Sequence, residues 1–159
     1  MNLDDFSMVE LVQRIQPKLM VELGTGDGDT SSRVMEVLRK DAILITINWP
    51  NPPSGDNPMK YLAPWISDPR LAIIYSDTRE QAEEFADGCI DLLYIDSTHT
   101  CECATKECNA YRPKMRSGAT VVVDDLDQND MRKFWDALPY EKTEFRNGCR
   151  GMFRYEPAQ

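Results

Sequence analysis

The pattern of apolar and polar positions divides the chain into alternating extended and helical segments. Continuous apolar, β-branched runs such as AILITIN (residues 42–48) and CIDLLYID (residues 89–96) predict buried strands. Apolar residues spaced three and four apart predict helices, two of which end before Pro17 and Pro113. The predicted helices are residues 6–16, 30–39, 59–66, 79–86, 103–112 and 131–138. The predicted strands are KLMVEL, then residues 42–48, 71–76, 89–96 and 119–125, and finally KTEF and GMFRYE.

Turn and capping residues mark the boundaries between these segments. Thr78 and Gln81 have the spacing of a capping box at the start of the fourth helix. Gly118 is predicted to turn the chain into the fifth strand, and Asn-Gly at 147–148 predicts a tight hairpin turn. Residues 49–58, WPNPPSGDNP, are rich in proline, glycine and asparagine and predict a loop.

The order of elements predicts the fold class. Strands alternate with helices five times before a terminal hairpin, which is typical of an α/β protein with a doubly wound, mostly parallel sheet. No repeat or linker divides the chain, so a single domain over residues 1–159 is expected. In such sheets ligands bind beyond the carboxyl ends of the strands. The functional residues are therefore expected just after each strand.

Composition and charge narrow the function classes. The formal net charge of −9 and the pI near 4.6 argue against nucleic acid as the main partner, because an acidic surface repels phosphates. No run approaches the ~20 apolar residues of a membrane span, and the acidic, amphipathic start does not resemble a signal peptide. Five cysteines, an odd number, predict reduced thiols and a cytoplasmic location.

Three glycines follow the first strand, in VELGTGDGDTS. Gly24, Gly26 and Gly28 have the spacing GxGxG, which lets the backbone approach a ligand and adopt positive φ. The helix predicted from Thr30 would direct its amino end at that ligand. The spacing differs from the GxGxxG of dinucleotide-binding enzymes, which argues against NAD.

Polar residues also follow the second and third strands. Asn48 can hydrogen-bond ribose hydroxyls, although more weakly than the carboxylate usual at this position. Trp49 either stacks on an adenine ring or only packs at the end of its strand. Asp77 could accept a hydrogen bond from an adenine amino group; the alternative is that Asp77 or Thr78 only caps the next helix.

Acidic residues follow the fourth and fifth strands. Asp96 is followed by His99, the single histidine of the chain, and Asp124 and Asp125 stand together after the fifth strand. Three converging carboxylates repel one another unless a cation intervenes, and hard oxygen ligands suit Mg²⁺, Ca²⁺ or Mn²⁺. The alternative is that one aspartate caps a helix and the others are solvated.

These strand ends resemble a known family. IDSTHTCECATKECNAYRPKMRSGATVVVDD is similar to IDGxHxYxxxxxDxxxxxxxLxxGGxxxxDD of a group of small O-methyltransferases, and VELGTGDGDTS is similar to their first motif. The chain thus resembles the class I S-adenosylmethionine-dependent methyltransferases over nearly its whole length. The resemblance implies a Rossmann-like, seven-stranded sheet with a C-terminal antiparallel hairpin. It also implies methyl transfer from S-adenosylmethionine to a hydroxyl of a small-molecule acceptor.

The same resemblance implies roles for particular residues. Asp96 and His99 are the expected catalytic residues, with His99 as the base near the acceptor hydroxyl; the alternative is a structural histidine. Asp124 and Asp125 would join Asp96 as ligands of a divalent cation such as Mg²⁺. The expected cofactor-binding residues are Glu22, Gly24, Thr25, Gly26, Gly28, Asn48, Trp49, Asp77 and Asp96.

Other interpretations remain open at this level. The asparagine at position 48 and the small size also fit a cofactor-binding module without activity that acts through a protein partner. An acceptor pocket on so short a chain would be open, completed by residues 49–58, or completed by a second subunit in a homo-oligomer. A zinc site would use the cysteine-rich segment after the fourth strand, although its spacing H-x-C-x-C-x₄-C departs from paired CxxC knuckles; its ligands would be His99, Cys101, Cys103 and Cys108.

Overall fold

The computed structural model of this chain describes residues 6–51, 55–145 and 149–157. Seven strands form one sheet in the order β3-β2-β1-β4-β5-β7-β6. The first five strands are parallel, and β7 runs antiparallel to both β5 and β6, which confirms the predicted α/β sheet with its terminal hairpin. The strands are β1 Leu19–Leu23, β2 Ile43–Asn48, β3 Leu71–Tyr75, β4 Ile90–Ile95, β5 Met115–Val123, β6 Lys142–Phe145 and β7 Arg150–Arg154.

One helix precedes β1, and the other helices lie in the connections between strands. The helices are α1 Met8–Ile15, α2 Asp29–Val37, α3 Met59–Leu62, α4 Thr78–Gln81, α5 Cys101–Tyr111 and α6 Met131–Ala137, with short 3₁₀ turns at Ala63–Trp65, Ala82–Glu84 and Arg112–Lys114. The helix bounds predicted from the spacing of apolar residues agree with these bounds to within a few residues. Within the described ranges, no helix has the length and apolar character to cross a membrane.

The predicted capping box at Thr78 is wrong. Asp77 is the N-cap of α4, and its side chain accepts a hydrogen bond from the Arg79 backbone N–H at 2.9 Å. Thr78 is the first helical residue, and its hydroxyl donates to Glu107 instead. Aspartate is a better N-cap than threonine, so the preceding residue takes that position.

The predicted turn at Gly118 is also wrong. Gly118 lies inside β5, which begins at Met115. The glycine has φ +78° where the pairing with β4 is irregular: Met115 lies opposite Ile90, but Thr120 lies opposite Leu92. A residue with positive φ at such a β-bulge favours glycine, so the glycine marks a bulge rather than the start of the strand.

Alternate residues of the central strands face opposite layers. One face packs against α5 and α6 through residues such as Leu93 and Val121, whereas the other packs against α1 and α2 through Leu92 and Val122. Cys108 and Tyr111 on α5 and Met115 on β5 are buried in the first of these layers. Burial on both faces fixes the carboxyl ends of β1, β4 and β5 relative to one another.

The terminal hairpin pairs Phe145 with Arg150 and Lys142 with Phe153. The Asn-Gly turn predicted at 147–148 lies outside the described residues. Tyr140, just before the hairpin, stacks on Phe153 with ring centroids 4.7 Å apart and an interplanar angle of 5°. The hairpin is thus anchored to the rest of the domain by aromatic packing as well as by its pairing with β5.

Candidate functional site

A cavity of about 540 Å³ lies at the carboxyl ends of the parallel strands, where the fold class predicts a ligand. The sequence-predicted residues that border it are Gly24, Thr25, Gly26, Asn48, Trp49, Asp77, Asp96 and His99. Four other predicted residues lie close by but do not border it: Glu22, Gly28, Asp124 and Asp125. Most of the predicted site is therefore one continuous surface.

The three glycines after β1 differ in what a side chain at each position would contact. Gly24 has φ +96°, and a Cβ there would lie 2.0 Å from the Asp96 carbonyl oxygen. Gly26 has φ +54°, and a Cβ there would meet nothing within 4 Å. A Cβ at Gly28 would lie 2.7 Å from the Cγ of Leu62, so this glycine serves the packing of α3. Gly24 thus permits the close approach of two strand ends, and Gly26 leaves open space beside the cavity.

Glu22 lies beneath the cavity and is 1% exposed. Its Oε2 accepts hydrogen bonds from the Ser31 hydroxyl and, at 2.5 Å, from the Thr46 hydroxyl. Thr46 in turn lies 2.7 Å from the hydroxyl of Thr25, which borders the cavity. Burial raises the pKa of Glu22 to about 8, although the two hydrogen bonds act to lower it. Glu22 is therefore largely protonated at neutral pH and supports the glycine-rich turn from below.

The raised pKa of Glu22 makes the stability of the cofactor-free protein depend on pH. The folded state binds this proton more tightly than the unfolded state, so the contribution is complete below pH 4.5 and is lost as pH rises towards 8. We expect the free energy of unfolding, measured with urea, to fall over this interval. Glu22→Gln imitates the protonated carboxyl and should flatten the slope. Equal slopes for the two proteins would contradict a buried, protonated Glu22.

Asn48 ends β2 with a side chain directed at the cavity. The residue is 5% exposed, and its Nδ2 has no hydrogen-bond partner among the described residues. A buried polar group without a hydrogen-bond partner costs about 1–3 kcal/mol, so this amide is a candidate for a contact with a ligand. Trp49 follows at the rim of the cavity and is 50% exposed, which leaves its ring available for stacking.

Asp77 has one of the two roles considered for it, since it caps a helix, and its position leaves the adenine contact as a prediction. It caps α4, as described above, and it also borders the cavity. Arg79 donates from Nε to its Oδ1 at 2.8 Å, and this hydrogen bond is the main reason that the pKa of Asp77 is lowered. The pair places a guanidinium group at the rim.

Glu107 is a cavity residue that the sequence did not indicate. It is buried and accepts hydrogen bonds from Thr78 at 2.6 Å and from Ser97 at 2.7 Å. Burial raises its pKa. Glu107 lies on α5 rather than at a strand end, so the rule that ligands bind beyond the carboxyl ends of strands does not predict it. Glu107 lies four residues after Cys103, so the two side chains share one face of α5, and both border the cavity. This spacing is the only feature of the sequence that relates Glu107 to the site.

Asp96 and His99 border one edge of the cavity, and Asp125 contacts His99 from outside it. The Nε2 of His99 lies 3.2 Å from Oδ1 of Asp96 and 3.5 Å from Oδ2 of Asp125. His99 and Asp125 have φ of +48° and +50°, a strained conformation that is concentrated at functional sites. Asn129 donates to the His99 carbonyl oxygen at 2.8 Å and helps to hold this loop in place.

The hydrogen bond between His99 and Asp96 governs how the histidine ionises. This bond raises the pKa of His99, and burial of the ring partly opposes it. Burial raises the pKa of Asp96, and its hydrogen bond to His99 opposes that shift. In the neutral ring, a proton held on Nε2 by Asp96 leaves the lone pair on Nδ1. The arrangement suits a base whose second nitrogen faces a substrate.

Asp124 does not fit the divalent-metal site predicted for it. Arg150 donates to Oδ1 and Oδ2 at 2.7 and 2.9 Å, and the Tyr94 hydroxyl donates to Oδ2 at 2.5 Å. Throughout the described ranges, no group of three or more histidine, cysteine, aspartate or glutamate side chains is arranged to hold a metal ion. The zinc hypothesis lacks a ligand cluster for the same reason, and its Cys108 is buried in the core.

Comparisons with known proteins agree with this geometry. A family model described as a methyltransferase domain matches residues 21–126. A solved structure assigned as a caffeoyl-CoA O-methyltransferase from Staphylococcus aureus is 17% identical, with a TM-score of 0.71, over 93% of this chain and 80% of that one. A methyltransferase from Geobacter sulfurreducens is also 17% identical with a TM-score of 0.71, over 94% and 75% of the two chains.

A third solved structure carries a ligand. The O-methyltransferase TomG from Streptomyces achromogenes, in complex with S-adenosylmethionine, is 17% identical over 97% of this chain and 82% of that one, with a TM-score of 0.66. Curated protein sequences give no match. The family match spans the glycine-rich turn, the cavity and the Asp96–His99 segment. The chain therefore belongs to the methyltransferase-domain family and has the fold of the class I S-adenosylmethionine-dependent methyltransferases.

Proposed function

We propose that this protein transfers a methyl group from S-adenosylmethionine to a hydroxyl of a small-molecule acceptor. The observation that carries the proposal is the His99–Asp96 pair at the edge of the cavity, since an acceptor hydroxyl needs a base at that place. Two similar structures are described as O-methyltransferases, which supports oxygen as the acceptor atom.

The cavity has features that suit this cofactor. The backbone at Gly24 and Gly26 offers close approach, as expected for the methionine and ribose end. The unpartnered amide of Asn48 would hydrogen-bond a ribose hydroxyl, and the exposed ring of Trp49 would stack on the adenine. Asp77, with Arg79, would border the adenine side.

The residues at the other edge would handle the proton. When bound, S-adenosylmethionine supplies an electrophilic methyl group on its sulfonium. The protein mainly aligns the acceptor oxygen with that methyl group. Nδ1 of His99 takes the hydroxyl proton while Asp96 holds the ring through Nε2, and Asp125 faces the resulting positive charge.

A matched acceptor panel tests this proposal. The protein is incubated with S-adenosylmethionine carrying a labelled methyl group and with pairs of phenols and anilines of the same shape. We expect the label on the phenol oxygen, identified by mass spectrometry and NMR of the product. Transfer to nitrogen in preference to oxygen would contradict a hydroxyl acceptor.

Asn48→Ala is expected to weaken binding of S-adenosylhomocysteine, the demethylated product, by about tenfold. Removing one hydrogen-bonding partner costs about 1–1.5 kcal/mol, which corresponds to that change in Kd. Calorimetric titration provides the measurement. Ile43→Ala, at the exposed start of the same strand, is the matched control and should leave the affinity unchanged. Equal affinities for the wild type and Asn48→Ala would exclude a contact between Asn48 and the ligand.

A further inference from the structure

Arg150 enters the carboxylate cluster from the antiparallel strand of the sheet. Val123 lies opposite Gly151 in the β5–β7 register, so the next residues, Asp124 and Arg150, meet just beyond it. Arg150 donates from Nε to Oδ1 at 2.7 Å and from Nη2 to Oδ2 at 2.9 Å. Such a two-pronged guanidinium–carboxylate pair is stronger and geometrically more defined than a single ionic contact.

Two further donors complete the contacts of Asp124. The Tyr94 hydroxyl donates to Oδ2 at 2.5 Å, and the Asp125 backbone N–H donates to Oδ1 at 2.9 Å. Each oxygen thus accepts two hydrogen bonds. A carboxylate offers about four lone-pair sites, so these donors use its full accepting capacity. No lone pair of Asp124 is left for a metal ion.

Packing fixes the guanidinium of Arg150 in this position. Its Cζ lies 5.6 Å from the centroid of the Phe6 ring, which covers the group from the side of α1. Phe6 itself packs against Phe145 of the hairpin, with ring centroids 5.0 Å apart. The Asp124 side chain is 7% exposed and the Arg150 side chain is 31% exposed, so water is largely excluded from the carboxylate but reaches part of the arginine. Residues from three parts of the fold therefore hold the Arg150 guanidinium in place: Phe6 before α1, Phe145 on β6 and Asp124 after β5.

We propose that Arg150 is the resident cation of the Asp96, Asp124 and Asp125 cluster and that this protein functions without a divalent metal. Arg150 is a positioning residue: by holding Asp124 it fixes the start of the segment that brings Asp125 to His99. The consequence for methyl transfer rests on the proposed function, whereas the consequence for metal binding does not.

Mn²⁺ binding, measured by electron paramagnetic resonance, tests the inference without any need for turnover. The signal of free Mn²⁺ should be undiminished when equimolar wild-type protein is added. Arg150→Met frees Oδ1 and Oδ2 of Asp124 from the guanidinium, so that the side chains of Asp124, Asp125 and Asp96 can turn toward an ion. The free signal should then fall by about a third or more at concentrations near the new Kd. Arg150→Lys retains a positive charge and should exclude Mn²⁺ as the wild type does.

Two results would overturn the inference. One is stoichiometric Mn²⁺ binding by the wild-type protein, and the other is a folded Arg150→Met variant that gains no Mn²⁺. Circular dichroism establishes whether that variant folds. If Arg150→Met does not fold, the inference is tested on the wild-type protein by Mn²⁺ titration and by turnover. Turnover in EDTA should then equal turnover in Mg²⁺. Loss of turnover in EDTA and its return with Mg²⁺ would refute a metal-free site.

Discussion

Gly24→Ala is expected to destabilise the folded protein by more than about 4 kcal/mol, a loss typical of severe backbone or core disruption. The added Cβ would lie 2.0 Å from the Asp96 carbonyl oxygen and 2.7 Å from its carbonyl carbon, and backbone atoms cannot move aside as side chains can. The φ of +96° adds strain of its own for any residue with a Cβ. Urea unfolding followed by circular dichroism measures the loss.

Gly26→Ala is the matched control for this substitution. It lies two residues away in the same turn, also with positive φ, but its Cβ would meet nothing within 4 Å. We expect a cost of about 1–2 kcal/mol from the left-handed conformation alone. If the two variants lost the same stability, the close approach of β1 and β4 at Gly24 would not be the reason for that glycine.

His99→Asn is expected to lower kcat/KM by about 10²–10⁴-fold, the usual contribution of a general base. Asparagine tolerates the positive φ of 48° found at this position, so the variant should fold. Its free energy of unfolding should fall by about 1 kcal/mol, because the hydrogen bond between the ring and Asp96 is removed. The affinity for S-adenosylhomocysteine should stay the same, since the substitution removes the base and not the proposed cofactor contacts. Undiminished turnover by this variant would exclude His99 as the base.

The pH profile distinguishes a base from a structural histidine. Asp96 raises the pKa of His99 above its ordinary 6.5, so the neutral, active ring appears only as pH rises through that higher value. We therefore expect kcat/KM to increase with pH and to level off above the raised pKa. Asp96→Asn removes the main cause of the shift and should move the midpoint to lower pH. A midpoint that does not move would show that another group controls the rate.

Local patterns were sufficient for the sheet and for one side of the site. Continuous apolar runs located the parallel strands, and the rule that ligands bind beyond their carboxyl ends led to Asn48, Asp96 and His99, which all border the cavity. These positions depend on where a strand ends, which is a local property of the sequence. Helix boundaries were less accurate where two capping residues compete, as at Asp77 and Thr78.

The contacts of Asp124 could not be read from local patterns. Arg150 is 26 residues away and Tyr94 is 30 residues away, and the side chains meet because of the strand registers. In the sequence, Arg150 appears as one of several arginines near the terminus, and Asp124 as half of an acidic pair. The negative charges of the aspartates therefore predicted a metal ion beside Asp124. The β5–β7 register instead places the guanidinium of Arg150 there.

Calorimetric titration of the purified protein with S-adenosylhomocysteine tests the assignment of the cavity most directly. Binding of one ligand per chain with a Kd in the micromolar range, about −8 kcal/mol, is the expected result. The heat should be reduced in Asn48→Ala and retained in His99→Asn, because the first residue faces the proposed ribose position and the second faces the acceptor. Absence of binding at millimolar ligand would contradict a cofactor site at the carboxyl ends of these strands.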